Sequence, residues 1–167
     1  SYDMVRYFED LPEDTVDDLN VPDSQFIITD TMLVFDNVSQ TIKIVSNAVV
    51  EEENLEAVYE QTIKKIGLLE AKLKAPLKVS TPESKDEVDL KFESNFEKEK
   101  FKGAVDKVKQ YINEGDAIQV VLSQRLNFKI KKNAFDIYRA LRTINPSPYM
   151  YFLKFGDMEV VGSSPEI

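Results

Sequence analysis

Residues 116–130 alternate with the period of a β-strand, in which successive side chains point to opposite faces of a sheet. Ile118, Val120, Leu122, Leu126 and Phe128 fall on one side, and Ala117, Gln119, Val121, Ser123, Arg125 and Asn127 on the other. The first set predicts a face packed in a core. The second mixes Gln, Ser, Arg and Asn with small apolar residues, and predicts a face turned to water, a cleft or a ligand.

Helical and hairpin signals surround this strand. Residues 94–97, Ser-Asn-Phe-Glu, have capping-box spacing and predict a helix to about Asn113, with Phe101, Ala104, Val105, Val108, Tyr111 and Ile112 on its apolar face and Gly115 as its left-handed stop. Asn133 predicts the cap of a helix carrying Phe135, Ile137, Tyr138, Leu141 and Ile144, ended by Pro146 and Pro148. A hairpin follows, 149–155 and 158–161 around Gly156-Asp157. Earlier, 53–74 place Leu55, Val58, Tyr59, Thr62, Ile66, Leu69 and Leu73 at helical spacing. Two β-rich runs, 26–35 and 41–50, flank a turn at 36–40. Met4, Val5 and Phe8 suit a short helix with one buried face, and residues 10–23 read as a loop. Hairpins alternating with helices predict an α+β fold of mostly antiparallel sheets with helices on the outside. Residues 1–90 read as an N-terminal subdomain portion with a flexible linker at 75–90, and 91–167 as the first part of a second domain.

Composition removes several chemistries. With no Cys and no His, the chain offers no disulfide, thiolate site, imidazole-ligated zinc or Ser-His-Asp triad. Carboxylates, amides, hydroxyls, lysine and arginine remain. A net charge of −9 opposes phosphate-tracking nucleic-acid binding. No apolar run reaches the roughly 18 residues of a membrane span, and the first residues lack the basic and apolar regions of a signal peptide. A cytoplasmic location is the expectation.

Four segments together resemble the large subunits of anthranilate synthase, component I, among the chorismate-utilising enzymes. They are residues 2–9, Tyr-Asp-Met-Val-Arg-Tyr-Phe-Glu; 115–125, Gly-Asp-Ala-Ile-Gln-Val-Val-Leu-Ser-Gln-Arg; 145–152, Asn-Pro-Ser-Pro-Tyr-Met-Tyr-Phe; and 162–166, Gly-Ser-Ser-Pro-Glu. The resemblance covers the whole chain, which would be the middle third of such a subunit. It implies an antiparallel two-sheet fold, incomplete here, and addition of ammonia to C2 of chorismate with loss of the C4 hydroxyl. Pyruvate is then eliminated to leave anthranilate, in tryptophan biosynthesis. It also implies a glutaminase partner that supplies the ammonia, feedback inhibition by tryptophan, and Mg²⁺ whose ligands lie downstream of residue 167, with none in this segment.

Residue by residue, Glu166 matches the family's acid, which would protonate the departing hydroxyl. Pro165 stiffens the approach to it. Gln119 stands where relatives that add water to chorismate carry a lysine base; an amide can orient ammonia without accepting a proton. Arg125 reads as a structural ion pair rather than a substrate ligand. Asn145, Pro146, Pro148, Tyr149 and Met150 resemble the tryptophan-contacting segment. The bland alternatives are a solvated turn at Glu166, an exposed polar face at Gln119 and a rigid connector at 145–150.

Two rival readings stand beside this one. An aminodeoxychorismate synthase component I shares Gln119 but usually departs from the Asn-Pro-Ser-Pro-Tyr-Met and Gly-Ser-Ser-Pro-Glu motifs, and a catalytically silent α+β binding module needs none of the chemistry. Exposed strand edges would favour self-association of the isolated chain.

Overall fold

The computed structural model of the chain describes residues 2–12, 16–50, 54–77, 91–130 and 132–164. The chain is α+β, and every strand pairing among these residues is antiparallel. It divides into two compact units, residues 1–79 and 80–167. The expected linker at 75–90 lies, from residue 78 onward, outside the described residues.

In the first unit, Tyr2–Tyr7 forms a 3-10 helix. Its expected buried face is not realised: Val5 is exposed, and Phe8 lies beyond the helix and is also exposed. So short a helix, with no element packed on it among the described residues, leaves those side chains little to pack against. Residues 10–12 and 16–23 are loop, as their composition predicts. Strands β1 (Thr31–Asp36) and β2 (Thr41–Ser46) pair from Thr31↔Ser46 to Asp36↔Thr41. The ladder is shorter than the β-rich runs that flank it, leaving Phe26, Ile27, Ile28, Val49 and Val50 unpaired and exposed.

Asp36 builds the turn. Its Oδ1 accepts from the N–H groups of Val38 (3.1 Å) and Ser39 (3.0 Å), and its Oδ2 from Lys43 Nζ (3.3 Å). The backbone N–H of Ser39, then its hydroxyl and Lys43, hold the Asp36 carboxyl below its ordinary range. A carboxyl depressed in the folded state contributes fully above its unfolded value and loses that contribution as pH falls through the folded one. The Asp36 side-chain carboxyl is therefore expected to titrate below the ~3.9 of a free aspartate, with the Val38 and Ser39 amide resonances moving in step. An Asp36 carbon resonance titrating at or above the free value would remove these hydrogen bonds from the solution structure.

Helix α1 (Leu55–Lys74) packs on β2. Val58, Thr62, Ile66 and Leu69 are its half-buried stripe, spaced as one helical face requires. Leu55, Tyr59 and Leu73, expected on the same face, stay exposed at its margins. Lys65 Nζ reaches Asp30 Oδ2 at 2.7 Å, tying the helix to the hairpin's entry and drawing the Asp30 carboxyl below its usual range. The helix stops at Ala75, in extended geometry before Pro76, because the residue preceding a proline is pushed out of the helical region.

In the second unit, β3 (Glu93–Ser94) pairs with β4 (Leu126–Asn127). Helix α2 (Lys98–Glu114) starts later than the capping-box spacing predicts. Glu97 is its N-cap, and the Ser94 hydroxyl instead turns on Phe96, accepting its N–H at 3.2 Å and donating to its carbonyl at 2.8 Å. A hydrophobic staple replaces the box: Phe96, just before the cap, meets Phe101 one turn inside, ring centroids 5.6 Å apart and edge to face. Gly115 at φ 88° closes the helix, donating its N–H to the Ile112 carbonyl.

The long strand expected over 116–130 is a correction. Only Leu126–Asn127 forms a ladder, and residues 117–125 carry no regular element. Its expected core face is open: Ile118 is 97% exposed, Val120, Leu126 and Phe128 are exposed as well, and Leu122 is half-buried. A strand exists only through its neighbours. Among the described residues β3 alone pairs with this one, over two residues.

Helix α3 (Ala134–Ile144) begins where Asn133 accepts the Phe135 N–H on its side chain at 2.8 Å, as its cap spacing predicts. The hairpin β5 (Tyr149–Phe155) and β6 (Met158–Ser164) pairs from Phe155↔Met158 to Tyr149↔Ser164 around Gly156, whose φ of 60° the two-residue turn requires. Helix α3 lies on this hairpin. Phe152 meets Phe135 edge to face at 5.4 Å and Tyr138 at 6.2 Å. No described residue is fully buried, and no helix among them is long and apolar enough to cross a membrane.

Candidate active-site segments

The sequence-predicted site residues fall on two stretches of the second unit and one position beyond them. Gln119 is exposed on the irregular run 117–125. That run is fastened at its end by Asn95, whose Oδ1 accepts the Arg125 N–H at 2.7 Å and whose N–H donates to the Arg125 carbonyl at 3.1 Å. Arg125 is half-buried. Glu166 lies outside the described residues, as does Pro165; the last described residue before them is Ser164, the end of β6.

Residues 145–150 form the connector from α3 into β5. Asn145 caps the helix, its N–H donating to the Leu141 carbonyl at 2.8 Å. Pro146, Pro148 and Tyr149 are exposed and Met150 is half-buried. Tyr149 and Met150 are successive strand residues and so point to opposite faces of the hairpin. Met150 shares its face with Phe152, which is the face toward α3.

The same connector is fastened to the end of β6 by side chains. Ser163 Oγ donates to the Asn145 carbonyl at 2.6 Å. Ser147 Oγ donates to the Ser164 carbonyl and accepts the Tyr149 N–H at 3.2 Å. The reason lies in the sequence. Proline has no N–H, so Pro146 and Pro148 cannot extend a backbone ladder past Tyr149, and hydroxyls from both strands stand in for the missing donors. Motif spacing does not predict this latch, although the chain carries a signal for it: a serine between two prolines, facing a strand that ends Ser163-Ser164.

Gly162, at the start of the same strand end, faces Tyr151 across the ladder, and a side chain on it would overlap the tyrosine ring. An aromatic ring lying over a cross-strand glycine covers backbone that the glycine leaves bare. The described geometry thus joins 145–150 to 162–164. Among the described residues it shows no contact between that group and β3 or β4. A shallow concavity on α3, lined by Asp136, Arg139, Arg142 and Thr143, includes none of the predicted site residues.

An α+β chain of antiparallel hairpins and flanking helices, with a serine-latched connector beside the strand that leads to Ser-Pro-Glu, has a counterpart among known proteins. The chorismate binding enzyme family matches over residues 1–167, and the chain belongs to that family. It is 43% identical to anthranilate synthase component 1 of Acetivibrio thermocellus over 99% of its length, and 40% identical to that of Aquifex aeolicus over 100%. The crystal structure of anthranilate synthase component I from Streptococcus pneumoniae TIGR4 superimposes with a TM-score of 0.69 at 33% identity, over 99% of this chain and 37% of that one. The chain spans about a third of the length of these relatives, 34% for both curated sequences.

Proposed function

We propose that this chain is the central part of an anthranilate synthase large subunit, a cytoplasmic carbon–oxygen lyase. The observation that carries the reading is end-to-end similarity at 43% and 40% identity to two relatives named anthranilate synthase component 1. The assembled enzyme takes chorismate and ammonia to anthranilate and pyruvate. A glutaminase subunit supplies the ammonia, and tryptophan inhibits.

The chemistry assigns distinct tasks to two residues. Loss of hydroxide from the C4 carbon is slow unless the oxygen is protonated as it leaves, and Glu166 is the carboxylic acid that donates this proton, so that water departs. As ammonia bonds to C2, both ring double bonds move one place, C1=C2 to C1=C6 and C5=C6 to C4=C5, as the C4–O bond breaks. The ammonium so formed sheds a proton; the C2 hydrogen is then lost as the C3–O bond breaks, and the enolpyruvyl group, gaining a proton at its methylene carbon, leaves as pyruvate while the ring becomes aromatic. Gln119 orients the ammonia by hydrogen bonds; ammonia carries its own lone pair and needs no strong base. Asn145, Pro146, Pro148, Tyr149 and Met150 form part of the tryptophan site. The carbonyls of the proline-set backbone are acceptors for its ammonium group. The opposed directions of Tyr149 and Met150 leave one of them for the indole face.

Among the described residues no three acidic side chains gather into a group that could hold an ion. The Mg²⁺ that the family resemblance implies is proposed for the remainder of the subunit, and no step above passes through it.

The test is product identity. Full-length subunit given chorismate, ammonium and Mg²⁺ should accumulate fluorescent anthranilate and pyruvate in equal amounts. Accumulation of aminodeoxychorismate or isochorismate instead, with no pyruvate, would overturn the assignment.

A further inference from the structure

We propose that Ser147 and Ser163 are positioning residues for the acid step, a role that rests on the assignment of Glu166 above. Strand β6 is held along its length by backbone pairing with β5, and among the described residues the last pair is Tyr149↔Ser164. Beyond it the partner strand becomes Pro146-Ser147-Pro148, which has one backbone N–H in three residues. The next residue of β6's own chain is Pro165, which has none.

A ladder therefore cannot fix the direction in which the chain leaves β6. The two hydroxyls do so instead. Ser163 Oγ holds the Asn145 carbonyl at 2.6 Å, and Ser147 Oγ holds the Ser164 carbonyl from the other side. The bonds run in opposite directions between the two segments, so together they resist both sliding and splaying at the strand end. Glu166 follows Ser164 by two residues, a reach of at most about 7 Å along an extended chain. A shift of Ser164 moves the point from which Glu166 reaches the substrate, and proton donation tolerates little misplacement.

Each hydroxyl also gives a backbone carbonyl a hydrogen bond, so a purely structural role makes a different forecast: lower thermal stability with unchanged chemistry. In the full-length subunit assayed with ammonia, Ser147→Ala and Ser163→Ala are each expected to lower kcat about 3- to 10-fold, with KM for chorismate changed less than about twofold. The conservative variant Ser163→Thr keeps a hydroxyl and should recover at least half of the lost kcat. Glu166→Gln serves as the reference. If it abolishes turnover while both alanine variants keep wild-type kcat, the latch has no part in positioning and the acid assignment stands. The latch is likewise only structural if kcat and melting temperature fall together and threonine restores neither. If Glu166→Gln keeps wild-type turnover, the acid assignment fails first and the latch's role with it.

Discussion

Glutamine in place of Glu166 is expected to lower the ammonia-dependent kcat of the full-length subunit about 10²- to 10⁴-fold, the range over which a positioned general acid acts. Chorismate KM should move far less, because glutamine keeps the size and most of the hydrogen-bonding shape of the acid and loses only the transferable proton. Every interaction made equally in ground and transition state survives the change, and the one made in the transition state does not.

The loss has a chemical signature that separates acid catalysis from general disruption. A chorismate analogue esterified with acetate at the C4 oxygen expels a carboxylate, which leaves without help from an acid. On that analogue the gap between wild type and Glu166→Gln should shrink to about tenfold or less. An equal penalty on both substrates would show that the residue binds or supports the site rather than donating a proton. Removal of the side chain by alanine is less informative, since it also opens space for water.

What is legible in the sequence follows the range of the interactions. The Asn133 cap, the Gly115 stop, the end of α1 before Pro76 and the Gly156-Asp157 turn are decided within a few residues, and all four occur where the spacing predicts. The start of α2 is contested between two local devices: Ser94 and Glu97 have box spacing, but the Phe96–Phe101 contact places the cap at Glu97. The expected strand over 116–130 fails for a non-local reason. Its two-residue period states which faces differ, and only a neighbouring strand can turn that pattern into a ladder. The family is legible from four short segments, and the α+β class from the alternation of hairpins with helices. The latch between 145–147 and 163–164 needs the register of β5 on β6 before its serines can be seen to face each other.

The chain on its own, without the rest of the subunit, is expected to make no anthranilate above a no-enzyme control and to melt without a sharp transition. Both outcomes have one cause. The described residues contain no fully buried side chain, and Ile28, Val38 and Ile118 are almost wholly exposed, at 99%, 98% and 97%. Each sheet among the described residues has two strands, and a lone two-stranded hairpin is marginal in water; packing against one helix gives the longer hairpins only partial cover. Hydrophobic burial is the main favourable contribution to folding, and conformational entropy of similar size opposes it. A chain that covers its apolar faces only halfway gives up much of the first while bearing most of the second. The missing cover is assigned to the two thirds of the relatives' length that this chain does not span, where the metal ligands are also proposed to lie. Calorimetry of the isolated chain should show a broad, low-enthalpy transition, with binding of a hydrophobic dye at room temperature and mass that rises with concentration. A sharp two-state melt from a monomer of constant mass would mean that the open faces find partners within the chain itself. Anthranilate formation from chorismate and ammonia would place a working metal site there as well.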